Sequence, residues 1–441
     1  MRAPAHASDA VERDKPNAHV ASTEKSRAPL RVLLSSYACQ PGEASEAGIG
    51  WSWAFELAKA GAEVWVLTLP KGKDAIERSL FENPDLDLHF VYIQHPPLGQ
   101  AMRDITRGGH SWNHFLGYLE WQDRAYRIAI KLRQDVEFDI VHHVSLSSLH
   151  IGSRLWKLNL PFVFGPVGGA QTTPAGFGKY LRGKRLFERV RTIVARYLYA
   201  YVLNARSTVR GSRLVLVTNR DTQEAVLRLG AREVRLMTDI GVAADRVASH
   251  PPISRSAYEP LRILWVARLE PRKALLLALE AVAKISSQVF WKLTIIGDGP
   301  QGPMVPEWIA ELGLADRVEW RGRIPWAEVQ EAYDESDLFL FTSLRDTTGI
   351  QLLEAMGRGV PIVTLDHQGA SFVVPDCAGI KVPVTTPIET AMSVARAIEQ
   401  LAVDREKLYT MGEAAIEVAR RNTWERKAQV GLAIYRTLLE S

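Results

Sequence analysis

The sequence predicts an α/β protein built from two doubly wound parallel-sheet domains that face each other across a cleft. Three observations support this prediction. Short apolar segments of strand type alternate with amphipathic helical segments along most of the chain. The alternation stops at a proline-containing stretch and then begins again. The length of 441 residues, with 46% hydrophobic and 24% charged residues, suits two globular domains with substantial cores.

The first domain is predicted over residues 30–245. Its first strand is "LRVLLSSY" (30–37), and a glycine-containing loop follows. The next segment, "GWSWAFELAKAG", predicts a helix because Trp51 and Phe55 fall on one face together with two alanines. The segment "EVWVLTL" (63–69) is the second strand. Strand, helix and strand at this spacing form a βαβ unit, which implies a parallel sheet.

The residues before this domain and the general composition predict the surroundings in which the chain works. Residues 1–29 form a predicted disordered tail, since they are rich in Ala, Ser, Pro and charge and contain no apolar segment of signal-peptide type. The two cysteines, Cys39 and Cys377, are far apart, which favours a reducing cytoplasm. The net charge of +4 is too small to indicate nucleic-acid binding.

The second domain is predicted over residues 261–420, after a linker at 246–260. Its strands include "LRILWVA", "WKLTIIG", "LFLFTS" and "PIVTLD". Residues 421–441 predict a last helix without a strand after it. In doubly wound folds ligands lie at the carboxyl ends of the strands, close to helix N-termini. Polar and glycine-rich clusters at those places are therefore the candidate ligand sites.

The first cluster is "ARLEPRK", which follows a predicted strand of the second domain. A guanidinium such as that of Arg268 can bind phosphate oxygens in pairs, and the ammonium of Lys273 adds a second charge. Together they would match a diphosphate. The alternative is two solvated loop cations, and this is the interpretation we give to Arg272.

The second cluster is "TIIGDGPQG", in which Gly297, Gly299 and Gly302 have GxGxxG spacing. Pro300 removes an amide that a pyrophosphate would need, so a dinucleotide fold is disfavoured. Gly297 and Gly299 are interpreted as a strand-end turn at which backbone approaches a bound nucleotide. A purely structural turn is the alternative.

The third cluster lies in "TSLRDTTGIQLLEAMGRGVP" (342–361), where a loop leads into a helix. The amides of Thr348, Gly349 and Ile350 are expected to point out of the helix N-terminus, which is an anion-binding position. Glu354, one turn further on, can accept hydrogen bonds from a ribose diol, and Asp346 can hold hydroxyls on the other side of the phosphate. The alternative is a solvated pair of acids.

These three clusters, in this order, resemble the donor-binding half of the GT4-type retaining glycosyltransferases, glycosyl transferases group 1, which have the GT-B fold. The resemblance covers residues 30–441 and implies that residues 421–441 cross back to pack on the first domain. It implies a nucleotide-diphosphate sugar as donor and a glycan or lipid-linked hydroxyl as acceptor. It further implies catalysis without a protein nucleophile or a metal cofactor.

The resemblance assigns roles residue by residue. The diphosphate is expected at Arg268 and Lys273, the transferred sugar at Asp346 and the ribose at Glu354. Two sets complete the site. The further donor-binding residues are Gly48, Gly50, Gly297, Gly299, Thr348, Gly349 and Ile350. The candidates for the acceptor side are Glu46, His143, Gly168 and Gly169. Most members of the family have Glu where this chain has Asp346, so the shorter carboxylate would lie about one bond further back from the sugar.

The charge of one segment predicts where in the cell the protein acts. Residues 179–210 contain nine Lys or Arg against one acid, Glu188, interleaved with aromatic residues. This composition suits an anionic membrane surface or the phosphates of a lipid-linked acceptor, and the alternative is a solvated helix face. We expect a cytoplasmic protein, peripheral on the inner face of the cell membrane, that acts in cell-surface polysaccharide synthesis.

Two other functions remain open on the residues alone. One is a sugar-nucleotide epimerase with a GT-B-like fold, which is an isomerase and needs acid and base side chains in place of an acceptor groove. The other is a non-catalytic scaffold that binds a sugar nucleotide. A metal site is not expected, because the "DLD" of residues 85–87 lies outside the three clusters.

Overall fold

The computed structural model contains two α/β units, each built on a parallel sheet, and the segment that follows Leu236 leads from one to the other. In both sheets all described neighbours pair in parallel, which confirms the predicted fold class. A parallel strand that is buried on both faces has a continuously apolar sequence, and these strands are rich in leucine and β-branched residues. The structure describes residues 28–43, 45–94, 112–146, 148–181, 204–252, 256 and 258–440.

The first sheet has seven strands in the order β3-β2-β1-β4-β5-β6-β7. The strands are β1 (Arg31–Ser36), β2 (Glu63–Thr68), β3 (Leu88–Tyr92), β4 (Ile140–Ser145), β5 (Phe162–Val167), β6 (Leu214–Val217) and β7 (Val234–Leu236). The helices described in this unit are α1 (Ser45–Lys59), α2 (Lys73–Glu82), α3 (Trp112–Asp135), α4 (Ala205–Gly211) and α5 (Arg220–Leu229). The order reverses between β1 and β4, so the carboxyl ends of these two strands flank a natural ligand crevice.

The second sheet has six strands in the order β10-β9-β8-β11-β12-β13. The strands are β8 (Leu261–Val266), β9 (Trp291–Ile296), β10 (Val318–Trp320), β11 (Leu338–Phe341), β12 (Ile362–Leu365) and β13 (Gly379–Val382). The helices are α6 (Leu275–Val282), α7 (Val305–Glu311), α8 (Trp326–Asp334), α9 (Ile350–Gly357), α10 (Gln368–Val373), α11 (Pro387–Val403), α12 (Arg405–Arg421) and α13 (Trp424–Glu440). Here the order reverses between β8 and β11, and the loops after these two strands carry the first and third sequence clusters.

Helix α13 packs on the first domain. The rings of Trp424 and Trp53, which lies on α1, are 6.4 Å apart. The hydroxyl of Tyr435 lies 2.6 Å from Nδ1 of His142 on β4. The end of the chain therefore fastens the second domain to the first. None of the described helices combines the length and the apolar composition that a bilayer crossing requires.

An arm from the first domain, residues 168–181, reaches into the second domain. Phe177 and Tyr180 at its end are fully buried in the second domain's core. The hydroxyl of Tyr180 donates to Glu280 on α6 at 2.6 Å, and Nζ of Lys179 lies 2.8 Å from the same carboxylate. The two domains are thus joined by the arm as well as by the segment that follows β7 and by α13. Most of the basic segment, residues 182–203, lies outside the described residues.

Candidate functional site

The loop after β8 is held in place by the end of β11. Its turn, Pro271–Lys273, begins with proline, whose fixed φ suits that position. The carbonyl of Arg272 accepts from the amide of Leu344 at 2.8 Å. The hydroxyl of Thr342 is 3.2 Å from the carbonyl of Lys273. These bonds bring the cationic loop beside the loop that follows β11.

Asp346 lies between two cations of this loop. Its carboxylate pairs with Nζ of Lys273, and it is 3.5 Å from a guanidinium nitrogen of Arg272. The Lys273 side chain is only 7% exposed and that of Asp346 17%. Burial by itself would raise the pKa of Asp346, but the charges of Lys273 and Arg272 outweigh it and hold that pKa below its usual value. The carboxylate is therefore ionised and paired.

Arg268 joins this cluster through Glu270. The carboxylate of Glu270 is 3.3 Å from Nε of Arg268 and 2.8 Å from Nε of Arg272. Arg268 is 68% exposed, so it is the cation best placed to move toward a ligand. Our interpretation of Arg272 as a solvated loop cation was wrong, because Arg272 is two-thirds buried and pairs with two carboxylates.

The glycines after β9 serve the packing of this same loop. A Cβ on Gly297 would lie 1.9 Å from the carbonyl oxygen of Ala267, and one on Gly299 would lie 2.8 Å from that of Leu269. Both glycines also have positive φ, at 136° and 158°. The structure therefore explains them by contact with the residues on either side of Arg268, which favours the structural turn.

The loop that carries Asp346 is anchored by both domains. The Asp346 amide donates to the Gln368 side chain at 3.0 Å. The hydroxyl of Thr347 accepts from Gln171 of the arm at 2.8 Å, and its carbonyl accepts from Asn219 at 3.2 Å. The hydroxyl of Thr348 donates to Asp239, in the segment that follows β7. These bonds fix the loop on the side that faces the first domain.

Helix α9 starts directly after this loop. Gly349 is its N-cap, with φ of 88°, and a Cβ there would lie 2.8 Å from the ring of Phe341. Ile350 opens the helix, whose first amides lack partners within the helix and whose dipole favours an anion. Its N-terminus follows the loop that holds the Lys273–Asp346 pair. Cations and helix amides thus belong to one region.

Glu354 lies in the second turn of α9, among apolar neighbours and half-buried. Its carboxylate accepts from the hydroxyl of Tyr333 at 3.3 Å. Burial raises the pKa of Glu354, while hydrogen bonds from Tyr333 and Trp326 and the charge of Arg246 act in the opposite direction. A carboxylate among apolar residues is costly unless polar groups meet it. Tyr333 and Trp326 are its partners within the protein, and one side of it faces a cleft.

That cleft, of about 700 Å³, separates the two domains. Glu354 and Ile350 line it from α9, and Trp326 lines it from α8. The guanidinium of Arg246 lies over the Trp326 ring, 4.3 Å from its centre. The first domain contributes the N-terminal part of α1, including Gly48. A volume of this size accommodates a nucleoside.

The first-domain glycines are needed by the local backbone. A Cβ on Gly48 would lie 2.0 Å from the carbonyl oxygen of Glu43, and one on Gly50 would lie 2.0 Å from the hydroxyl of Ser36. Gly50 is not among the cleft-lining residues. Glu46 is half-buried in the first turn of α1. Of this group, Gly48 is the one that the structure brings to the cleft.

Two of the acceptor-side candidates lie at a contact between the domains. A Cβ on Gly168 would lie 2.3 Å from the Thr347 methyl group. Gly169 has φ of 121°, and its amide donates to Gln171 at 2.7 Å. Gly168 therefore lets the arm approach the loop of Asp346 closely, and the Gly169 amide holds the Gln171 side chain that donates to Thr347.

His143 has to be corrected as an acceptor-side residue, since the structure buries it in the first domain. Its side chain is fully buried, with Nε2 3.1 Å from the Tyr118 hydroxyl and Nδ1 3.0 Å from that of Ser35. His142 is fully buried too, with Nε2 2.6 Å from the carbonyl oxygen of Gly165. Both histidines serve the interior of the protein and neither faces the cleft.

Three residues of this site were not singled out from the sequence. Glu270 stands inside the "ARLEPRK" cluster, so an acid between two cations was a signal for a bridging role. Gln171 and Asp239 carried no such signal, because each acts on the Asp346 loop from a distant part of the chain.

A comparison with known protein families finds a match in the second domain. Residues 249–418 match the family described as Glycosyl transferases group 1. The match covers most of the second domain, including the cationic loop, Asp346 and Glu354. It marks the chain as a glycosyltransferase.

Curated relatives of this glycosyltransferase extend the similarity to most of the chain. It is 26% identical to the putative colanic acid biosynthesis glycosyltransferase WcaL of Escherichia coli over 78% of this chain and 85% of that protein. It is 31% identical to the amylovoran biosynthesis glycosyltransferase AmsK of Erwinia amylovora over 36% of this chain and 40% of that protein.

Solved structures show that the glycosyltransferase has the GT-B fold. The sucrose-phosphate synthase of Thermosynechococcus elongatus superposes with a TM-score of 0.63 at 20% identity, covering 93% of this chain and 99% of that one. HepE of Anabaena, solved in complex with UDP, superposes with a TM-score of 0.56 at 16% identity, covering 92% and 99%. The predicted GT-B architecture is confirmed.

Proposed function

We propose that this glycosyltransferase moves a sugar from a nucleotide-diphosphate sugar to a hydroxyl group of a glycan or lipid-linked acceptor, with retention of configuration. The observation that carries the proposal is the Lys273–Asp346 pair, which Arg272 completes beside the N-terminal loop of α9. This arrangement provides side-chain cations and helix amides for one diphosphate.

The donor fits the described residues in a defined order. The diphosphate lies between the cationic loop and the amides of Gly349 and Ile350. The ribose lies in the cleft, where Glu354 accepts hydrogen bonds from its two hydroxyls. The base extends into the rest of the 700 Å³ cleft, toward Trp326. That nucleotide diphosphates bind such a fold is known for HepE, which was solved with UDP.

The chemistry follows from where charge develops. The bond between the sugar's anomeric carbon and the diphosphate oxygen breaks, and the leaving diphosphate gains negative charge. Arg268, Lys273 and the amides of α9 stabilise that charge, which is usually the largest catalytic contribution. A bond forms between the acceptor oxygen and the same face of the anomeric carbon, and the acceptor proton passes to the leaving diphosphate. No protein nucleophile or metal takes part in this scheme.

Asp346 is expected to act through Lys273. In this structure the carboxylate is ionised and paired with two cations, so only part of its capacity to accept hydrogen bonds is left for sugar hydroxyls. When a diphosphate is bound, Lys273 is shared between Asp346 and the phosphate oxygens. This sharing is how a residue shorter than the family's usual Glu serves the site.

We place the reaction in cell-surface polysaccharide synthesis, on the cytoplasmic side of the membrane. Two relatives, WcaL and AmsK, are named for the biosynthesis of colanic acid and amylovoran. The basic composition of residues 179–210 supports contact with an anionic lipid surface. Flotation with anionic and neutral vesicles tests this part, and equal binding to both would remove its electrostatic basis.

Thermal-shift screening against UDP-, GDP- and ADP-sugars tests the central part. We expect one nucleotide class to raise the unfolding temperature of the native protein in a concentration-dependent manner. The Lys273→Met variant should lose most of that shift, because the cation beside the phosphates is gone. If no sugar nucleotide stabilises the native protein at millimolar concentration, the proposed function is wrong.

A further inference from the structure

The segment that follows β7 carries a buried acid aimed at the site. Asp239 is 7% exposed, and its carboxylate accepts a hydrogen bond from the hydroxyl of Thr348, which is 1% exposed. Thr348 directly precedes Gly349, the N-cap of α9. Asp239 therefore holds the residue from which the phosphate-binding turn starts.

The segment that carries Asp239 is itself fixed by α13. Nζ of Lys427, which is 5% exposed, donates to the carbonyl of Thr238 at 2.8 Å and also to its hydroxyl. The backbone of Val242 bonds to Asn422 and Trp424 on either side of the start of α13, at 3.1 Å each. The segment that follows β7 is thus anchored to α13, the helix that packs on the first domain.

Asp239 also interacts electrostatically with Lys427, so the two sets of contacts are linked. Burial raises the pKa of Asp239, while the hydrogen bond from Thr348 and the charge of Lys427 act in the opposite direction. A buried carboxylate is costly unless hydrogen bonds and an opposite charge meet it. Thr348 and Lys427 supply these from the second domain and from α13. Movement of either one away from Asp239 would leave a buried charge poorly satisfied.

We propose that Asp239 is a positioning residue that acts through Thr348 to hold the loop of Asp346 and the first turn of α9 in their phosphate-binding arrangement. The segment between the domains then fixes the site as well as connecting the two sheets. This inference rests on the proposed function in that the ligand held by the loop is a nucleotide diphosphate. The fixing of the loop itself is independent of which ligand binds.

The test uses one hydrogen bond and a matched control. Thr348→Val keeps the shape of the side chain and removes the donor to Asp239, whereas Thr348→Ser keeps that donor. Thr410→Val makes the same chemical change on the exposed face of α12, where the hydroxyl donates to the Glu406 carbonyl at 3.1 Å. Asp239→Ala removes the acceptor of the same bond. All variants are made in the full chain.

Two measurements are made on each variant. Calorimetric titration with UDP, GDP and ADP identifies the nucleotide that the native protein binds, and its Kd is then compared among the variants. We expect Thr348→Val to weaken binding about ten-fold or more, since a hydrogen bond to a charged group is lost. Thr348→Ser should bind nearly as tightly as the native protein. The double variant with Asp239→Ala and Thr348→Val should bind about as weakly as either single variant, because both changes remove the same hydrogen bond.

The second measurement is amide hydrogen exchange over residues 346–352. Exchange there should be about ten-fold faster in Thr348→Val and Asp239→Ala and unchanged in Thr410→Val. If exchange and nucleotide affinity both stay at native values in Thr348→Val, the inference is overturned. If exchange responds while the native protein binds none of the three nucleotides, the positioning role stands and the proposed function fails.

Discussion

The ammonium group of Lys273 pairs with the carboxylate of Asp346, 73 residues later in the chain, and both side chains are largely buried. The pair joins the loop after β8 to the loop after β11 at the point where the strand order of the second sheet reverses. A buried ion pair of this kind contributes little net stability, but losing one partner is costly because the other charge remains. Lys273 and Asp346 are therefore best tested together.

We expect Lys273→Ala to lower turnover by two or more orders of magnitude and to lower the free energy of unfolding by about 3–5 kcal/mol. The first effect follows from the loss of a cation beside the leaving diphosphate. The second follows because the buried carboxylate of Asp346 keeps only its longer ionic contact with Arg272. The double variant with Asp346→Asn should recover stability without recovering turnover. Denaturant unfolding and initial rates with the donor found by screening check both parts. Near-normal rates in Lys273→Ala would refute the assignment.

Arg272 should matter for the ligand more than an arginine in a comparable surface pair. Arg272→Gln removes a guanidinium that pairs with Asp346 and Glu270, and we expect it to weaken nucleotide-diphosphate binding about ten-fold. The control is Arg321→Gln, since Arg321 pairs with Glu319 at 3.1 Å on an exposed edge of the second domain. Titration calorimetry compares the two variants. Equal affinities would show that Arg272 contributes no more to nucleotide binding than the surface residue Arg321 does.

The fold could be predicted because its signal is local. Apolar runs of strand length alternate with helical segments, and this pattern depends only on which residues are buried in a parallel sheet. The position of His143 could not be predicted in the same way. Strand β4 is buried throughout, so its sequence contains no polar face that would show which side chains reach the cleft.

The sequence points to candidate site residues that stand at strand ends or near a helix start, but it does not show contacts that depend on the arrangement of the domains. Lys273, Asp346 and Glu354 stand at strand ends and at a helix start, which are positions that the chain itself marks. The interpretation of Arg272 as a solvated cation was wrong because its pair with Asp346 forms only when the loops after β8 and β11 come together. The roles of Gln171 and Asp239 follow only from how the first domain meets Thr347 and Thr348.

The buried histidines predict a loss of stability in acid. Burial lowers the pKa of His142 to about 4 and that of His143 to about 3, from an ordinary value of 6.5. The unfolded chain therefore binds protons at a higher pH than the native protein does, and stability falls as the pH drops below about 6.5. At pH 5 we expect a loss of about 2 kcal/mol for each histidine.

Denaturant unfolding between pH 8 and pH 5 measures this loss. His143→Gln should lower the number of protons taken up on unfolding by about one, because glutamine does not titrate. His89→Gln is the control, since the His89 side chain is 42% exposed and pairs with Asp87. A pH dependence that His143→Gln leaves unchanged would contradict the prediction.

Close contact between Gly168 and Thr347 predicts a pair of compensating substitutions. Alanine at position 168 would place its Cβ 2.3 Å from the Thr347 methyl group, so Gly168→Ala should push the arm away from the loop of Asp346. We expect lower unfolding temperature and weaker nucleotide binding. Thr347→Ser removes that methyl group and keeps the hydroxyl bonded to Gln171, so the double variant should recover part of both losses. Absence of any recovery would mean that the contact does not limit the site.

Glu354 predicts how the protein distinguishes ribonucleotides from deoxyribonucleotides. If its carboxylate accepts from the ribose hydroxyls, a nucleotide diphosphate without the 2′-hydroxyl should bind the native protein about ten-fold less tightly. Glu354→Ala should weaken binding of the ribonucleotide and remove most of that preference, whereas Glu354→Gln, which still offers an oxygen acceptor, should keep part of it. Glu335→Ala, at the exposed end of α8, is the control. Competition titrations with the ribo and deoxyribo forms of one diphosphate measure the ratio. A ratio that is the same in the native protein and in Glu354→Ala would place the ribose elsewhere in the cleft, and Glu354 would then serve only to bind Tyr333 and Trp326.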